Sequence, residues 1–360
     1  MTAPTPGNIR SLLREANQLP CGEAQYRVAK EAVRLAEVMG DPEMLFDARM
    51  LFVRASCFAC YPDEMLVAFA WCVARYRAEP ERFSRHQFSL LWAFKYATNE
   101  APELSEISRE QIERILAQMA EAYSAHNYNM RTVYYQQFRV ALSLGDVDRA
   151  AELYPRWTAM QRDRLSDCFA CEVDTQVRFR IAQQDYTEAI DEAAPILAGK
   201  RKCESVPHRT FARLLRPLAL LGRHEQARDL QRRGYRIIRS DSEHLSLVAE
   251  HIAFLTHDGN LRRAIALFER HLPWAMETDQ GGRLHFSGAA AALFSRMAEQ
   301  SDRSRKLRMD RRFELHSPDD TYQPAKLAEW FSADFRPIVE GFDLRNGNDS
   351  CARELAEYRY

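Results

Sequence analysis

The chain reads as an all-α protein built from stacked helical hairpins, and three observations carry that reading. A turn-and-alanine pattern recurs at near-constant spacing. Apolar residues recur at helical spacing between those turns. The composition is that of helices joined by short links: of 360 residues, 46% are hydrophobic and 28% charged, with only 13 glycines and 15 prolines. A chain of this length makes two or three ordinary domains, or one array whose core grows with each added unit, and the repeat favours the array.

The first hairpin is announced by Ala29, Val33, Ala36 and Met39, spaced by three and four, which lead to Gly40-Asp41. Leu45, Ala48, Leu51 and Phe52 then begin its partner helix. Ser108 followed three positions later by Gln111 is a capping box ahead of Ile112, Ile115, Leu116 and Met119.

The repeat is clearest after that. Gly145-Asp146 precedes Ala150, Gln184-Asp185 precedes Ala189, Gly222-Arg223 precedes Ala227, and Gly259-Asn260 precedes Ala264, so successive alanines lie 39, 38 and 37 residues apart. Each interval holds two amphipathic segments. In the third, Ala227, Leu230, Ile237 and Ile238 mark one helix, with Gly234 between them, and Leu245, Val248, Ala249, Ile252 and Leu255 mark the next. A small residue at a fixed place lets two helices of a hairpin approach closely. Glycine ending the preceding helix supplies the left-handed cap conformation at little cost. Six or seven hairpins fill residues 9 to 300 on this reading and stack with a concave inner surface.

Residues 301–324 are charged and carry Ser317-Pro318-Asp319-Asp320, which reads as a linker or long loop. Leu327, Trp330, Phe331, Phe335, Ile338 and Phe342 then describe an amphipathic helix, expected to break near Pro337, within a segment 325–360 that caps the open end of the array. Arg345-Asn346-Gly347-Asn348 is a tight turn.

The Gly-Asp/Arg-x-x-x-Ala pattern resembles the tetratricopeptide-repeat superfamily from Gly145 to about Trp274, although the intervals exceed that family's usual length of about 34 residues and its full Trp/Gly/Tyr/Pro signature is incomplete. The resemblance implies a right-handed superhelical solenoid that works by binding.

Cys168 and Cys171 are separated by two residues, and Cys203 follows 32 positions after Cys171, with four residues between it and His208. Thiolates and an imidazole at such spacing suit a tetrahedral zinc ion, because each short turn can aim two donors at one centre. Both pairs fall at the link between first and second helices of successive repeats, and equivalent links of neighbouring hairpins lie side by side. Four protein ligands leave no open position, so the expected ion is structural. The competing readings are free buried or surface thiols, and a zinc-thiol redox switch. The constellation also resembles that of a group of bacterial tetratricopeptide-like proteins. Cys57 and Cys60 repeat the string Cys-Phe-Ala-Cys, but the pair starts 17 residues past Gly40 whereas Cys168 sits 23 past Gly145. Cys72 and His86 are conceivable further ligands there, and packing of small side chains is the preferred reading.

The phosphate-loop, dinucleotide, nucleophile-elbow and metalloprotease motifs do not occur, so the chain is expected not to be an enzyme. Fifty Lys and Arg balance 51 Asp and Glu, which gives no strong field toward nucleic acid or membrane. The runs at residues 232–236 and 303–308 read as solvated basic faces. A nucleic-acid partner is the alternative, and a protein or peptide segment is the expected one. Its contacts are expected from the aromatic and amide patch of Tyr128, Tyr134, Tyr135, Gln136 and Gln137, with core packing as the competing reading of those aromatics. The chain opens without the apolar stretch of a secretory signal and has no apolar run of about 20 residues, so a cytoplasmic protein is expected, in a compartment where close cysteines mean metal or redox chemistry.

Overall fold

A computed structural model describes residues 5–278 and 280–360. The fold is all-α. Among the described residues the only strands are β1 (Arg305–Lys306) and β2 (Thr321–Tyr322), paired antiparallel with Arg305 opposite Tyr322. Among the described residues no helix is long and apolar enough to cross a membrane.

Contacts divide the chain into two compact units. Residues 1–143 and 152–166 form the first, and residues 144–151 and 167–360 the second. The division therefore falls inside the expected array of residues 1–300, not at its end.

The first unit contains α1 (Pro6–Gln18), α2 (Glu23–Met39), α3 (Pro42–Phe58), α4 (Pro62–Ala78), α5 (Gln87–Glu100), α6 (Arg109–Ala125) and α7 (Arg131–Ser143), and shares α8 (Val147–Thr158) with the second. Helices α1, α3, α5 and α7 touch in succession, while α2, α4 and α6 each pack between two of them. Local chemistry sets the helix ends. Asp41 caps α3 by accepting from the amides of Glu43 and Met44, and Ser108 with Gln111 forms the capping box of α6. Phe46, Phe69, Phe94, Met119 and Tyr123 fill the core.

The second unit contains α9 (Phe169–Ala182), α10 (Tyr186–Glu192), α11 (Ala194–Leu197), α12 (His208–Arg213), α13 (Leu215–Leu220), α14 (His224–Ile238), α15 (Leu245–His257), α16 (Leu261–Ala275), α17 (Gln280–Gln300), α18 (Pro324–Asn346) and α19 (Ser350–Ala356). The contact pattern of the first unit recurs. Helices α9, α12, α15 and α17 touch in succession, with α10 on α9, α14 on α12 and α15, and α16 on α15 and α17.

The recurrent alanines sit where the sequence reading puts them: Ala150, Ala189, Ala227 and Ala264 are each 0% exposed. Four residues end the preceding helices with positive φ, namely Gly145 (+71°), Gln184 (+60°), Gly222 (+72°) and Gly259 (+77°). Glycine takes this conformation freely, and Gln184 takes it against the clash of its own Cβ. Side-chain pairs also recur at similar separations. Tyr61 donates to Glu23, Arg85 to Asp47 and Thr98 to Gln136, each across 38 residues. In the second unit Thr210 donates to Asp174, and Tyr235 pairs with His271, each across 36.

Two expectations are corrected at the C-terminal end. Residues 301–324 are not a free linker: Leu307, Met309, Phe313 and Tyr322 are buried in the core of the second unit. Helix α18 is not broken at Pro337 but runs continuously from Pro324 to Asn346. The proline removes one backbone donor, while Leu327, Phe331, Val339 and Phe342 hold the helix by burial, and Phe331 stacks on Phe294 and Phe313.

Candidate metal centre

All four expected ligands lie in the second unit, and the local sequence explains their placement. Cys168 is the N-cap of α9, in extended conformation, and its Sγ accepts from the Cys171 amide at 3.4 Å. Cys171 lies in the first turn of α9. The link between α11 and α12 is closed by the Cys203 amide donating to the Val206 carbonyl at 3.0 Å, which turns Cys203 back toward α9. Val206 is buried and anchors that turn, and Pro207 precedes α12 with a fixed φ.

The result is a group of three thiols, Cys168, Cys171 and Cys203, whose sulfurs all lie within 4.8 Å of one another. Cys171 Sγ is 3.5 Å from Cys203 Sγ. A tetrahedral ion with metal–sulfur bonds of about 2.3 Å sets its thiolates about 3.8 Å apart, so the spacing fits a common metal ligand set. None of the eight cysteines is in a disulfide. Burial pushes the Cys171 thiol well up, and the neighbouring sulfurs of Cys203 and Cys168 add to it. Cys203 is raised for the same first reason. Two such thiols do not ionise side by side without a cation. A divalent ion supplies that charge and releases the protons.

His208 falls outside this three-thiol group. It is the first residue of α12, is buried, and packs its ring 4.6 Å from that of His244. Its Nε2 is buried without a hydrogen-bond partner. Burial, His244 and Arg209 push its pKa down to about 4, so the ring is neutral at pH 7 with a lone pair free to bind a metal.

One structural feature beside the thiols was missed in the sequence. Asp174, one turn beyond Cys171, accepts from Thr210 Oγ1 at 2.7 Å and from Arg213. Thr210 and Arg213 stand on α12 just after His208, so a buried polar clamp joins the two helices that carry the ligands. Burial alone would raise the Asp174 carboxyl, but Arg213, the Thr210 hydroxyl and Arg209 outweigh it and hold it below the usual carboxylate range. The signal that marks the pair is its separation, close to the repeat interval.

The expected recognition patch is corrected in part. Tyr135 and Gln136 are core residues of the first unit and offer no surface to a partner. Tyr135 packs edge-on to Trp157 at 5.0 Å, and Gln136 Oε1 accepts from Thr98 at 3.1 Å. Tyr134 is partly exposed but engaged by Arg156, which donates to its hydroxyl at 2.9 Å. Tyr128 packs partly into the core, and Gln137 is half-buried. At the other cysteine pair, Cys72 is fully buried, with its thiol pushed up to about 12 by burial, and the His86 ring is engaged by Asp47. A scan of protein-family models and a search of curated proteins found no match to this chain.

Proposed function

We propose that this chain is a protein-binding adaptor or regulatory scaffold, a tetratricopeptide-like array of helical hairpins in which one structural zinc ion ties two successive hairpins together. The observation that carries the metal assignment is the convergence of the Cys168, Cys171 and Cys203 sulfurs from two links 32 residues apart. His208 is the fourth ligand in this reading, supported by its unpartnered buried nitrogen and its neutral ring. Those residues suit zinc: soft thiolates with one imidazole, and no position left for water or substrate. When bound, the ion supplies a cross-link and charge neutralisation. The residues around it position the ligands, with the α9 cap at Cys168, the Cys203–Val206 turn, and the Asp174 clamp each fixing one part.

The scaffold reading is supported by the two rows of helices in each unit and by side-chain pairs at a repeat-like separation of 36 to 38 residues. Such arrays expose extended faces suited to protein segments. Co-purification from a native lysate tests it: a stoichiometric protein partner is the expected result, and recovery of nucleic acid alone would overturn it.

A second reading rests on the 3.5 Å approach of Cys171 and Cys203. A peroxide would oxidise these sulfurs by two electrons to a disulfide while its own O–O bond breaks and its oxygens leave as water, taking up the two thiol protons, or solvent protons where a released metal had replaced them, and would make the cross-link redox-responsive. Zinc release by peroxide with a mapped Cys171–Cys203 disulfide is the test. Retention of the ion under oxidant removes this reading.

A further inference from the structure

The last residues of the second unit lie on its helices in the manner of a bound peptide. After the turn at Gly347, Asp343 accepts from the Cys351 amide at 2.8 Å and starts α19, which ends in a 3-10 turn at Glu357–Arg359. Only Leu355 and Tyr358 of this segment are buried, three positions apart on one face, while Ala352, Arg353, Glu354, Ala356 and Arg359 face outward. Both anchors enter a notch in α17 made by Gly288. A Cβ there would lie 2.9 Å from Leu355 Cδ2 and 3.1 Å from Tyr358 Cδ2.

The floor of this groove is polar where it meets the segment. Tyr358 Oη donates to Glu250 of α15 at 3.3 Å and lies 2.9 Å from His285 Nδ1 of α17. Arg216 of α13 pairs with Glu357 at 3.0 Å and also reaches the Tyr360 ring, which stacks on His257 at 4.3 Å. A few aromatic and aliphatic anchors flanked by matched charges and hydroxyls are the chemistry of a recognition groove for a short helix.

We propose that the groove over α13, α15 and α17 is a binding face for a short helical protein segment carrying an aliphatic residue three before a tyrosine with an acid beside it, and that residues 350–360 fill it as an internal ligand. The proposal rests on the reading of the chain as a protein-binding scaffold and adds which face binds and what it recognises. A partner presenting the same pattern displaces the internal segment, so the apparent affinity falls by the fraction of time the groove is filled.

The test uses a fluorescent peptide of residues 347–360 and the full chain, read by anisotropy. The wild-type chain is expected to take up the peptide weakly. The full chain with L355A and Y358A is expected to bind it at least about tenfold more tightly, because its own segment no longer competes. Glu357→Arg, which sets like charges at Arg216 and leaves both anchors in place, is expected to shift uptake in the same direction. A peptide lacking the tyrosine is expected not to bind. Failure of both variants to take up the peptide while their helical circular dichroism is unchanged overturns the proposal, as does equal binding by the wild type. Peptide uptake is independent of whether a lysate partner is recovered, so the groove and the scaffold reading fail separately.

Discussion

Asp174→Ala is the most informative single change near the thiols. In the folded chain the Asp174 side chain is 6% exposed and its Arg213 partner 26%. Removing the carboxylate strands a largely buried guanidinium and withdraws the acceptor of the fully buried Thr210 hydroxyl. Breaking a buried pair costs about 3–5 kcal/mol, and the partial exposure of Arg213 places this one near the lower end, with the Thr210 bond already inside that figure. For a unit of roughly 200 residues, about 3 kcal/mol lowers Tm by about 6–12 °C. Calorimetry on wild type, Asp174→Ala, Arg213→Ala and the double variant supplies the coupling energy. Because α9 and α12 also carry the thiols and His208, the single variant is expected to surrender metal faster to a chelator. The pH dependence has a fixed sign. The folded carboxyl is held below its unfolded value, so the stabilisation is complete above about pH 4 and is lost as pH falls through the folded pKa. A cost under about 1 kcal/mol, or a coupling near zero in the cycle, would refute the clamp.

Gln184→Gly is expected to stabilise the second unit by about 0.5–1 kcal/mol in denaturant titration, because glycine relieves a left-handed backbone position at some cost in unfolded-state freedom; destabilisation would contradict the cap assignment. Burial raises Glu250 to about 7 in the fold, with His285 and the Tyr358 hydroxyl pulling the other way and Glu354 adding to the rise. Its neutral form therefore stabilises the fold below the unfolded value near 4.3, and that contribution fades as pH climbs through 7. Hydrogen exchange of residues 350–360 is expected to quicken between pH 6 and 8 beyond its intrinsic rate, and Glu250→Gln is expected to remove the excess. Cys57→Ser and Cys60→Ser are expected to leave metal content unchanged, and loss of bound metal in either would move the centre to the first unit.

The helices and the buried alanines at their links were legible because their causes are local. Buried alanines and positive-φ caps at near-constant intervals follow from backbone geometry, and spacings of three and four mark apolar faces. The CxxC pair and Cys203 were legible because one short turn sets the first two together and close cysteine spacing marks the third as a candidate partner. The exact seat of His208 was not, since it depends on whether the ring packs toward His244 or toward the sulfurs. Tyr135 and Gln136 misled because α7 is buried on more than one face, so neighbours in sequence lie in the core together. The segment 301–324 is polar by composition, yet four well-spaced side chains suffice to bury it. The return of residues 350–360 to α15 and α17 rests on a notch at Gly288 and on distant polar partners, none of which leaves a periodic trace.

Metal content of the purified full chain tests the central claim most directly. Mass spectrometry under native conditions is expected to find one zinc per chain, retained in wild type and lost in Cys171→Ser and Cys203→Ser, with cobalt substitution giving the spectrum of a tetrahedral site with three thiolates and one imidazole. A wild-type chain that carries no metal when purified under reducing, chelator-free conditions and takes up none on titration would contradict it.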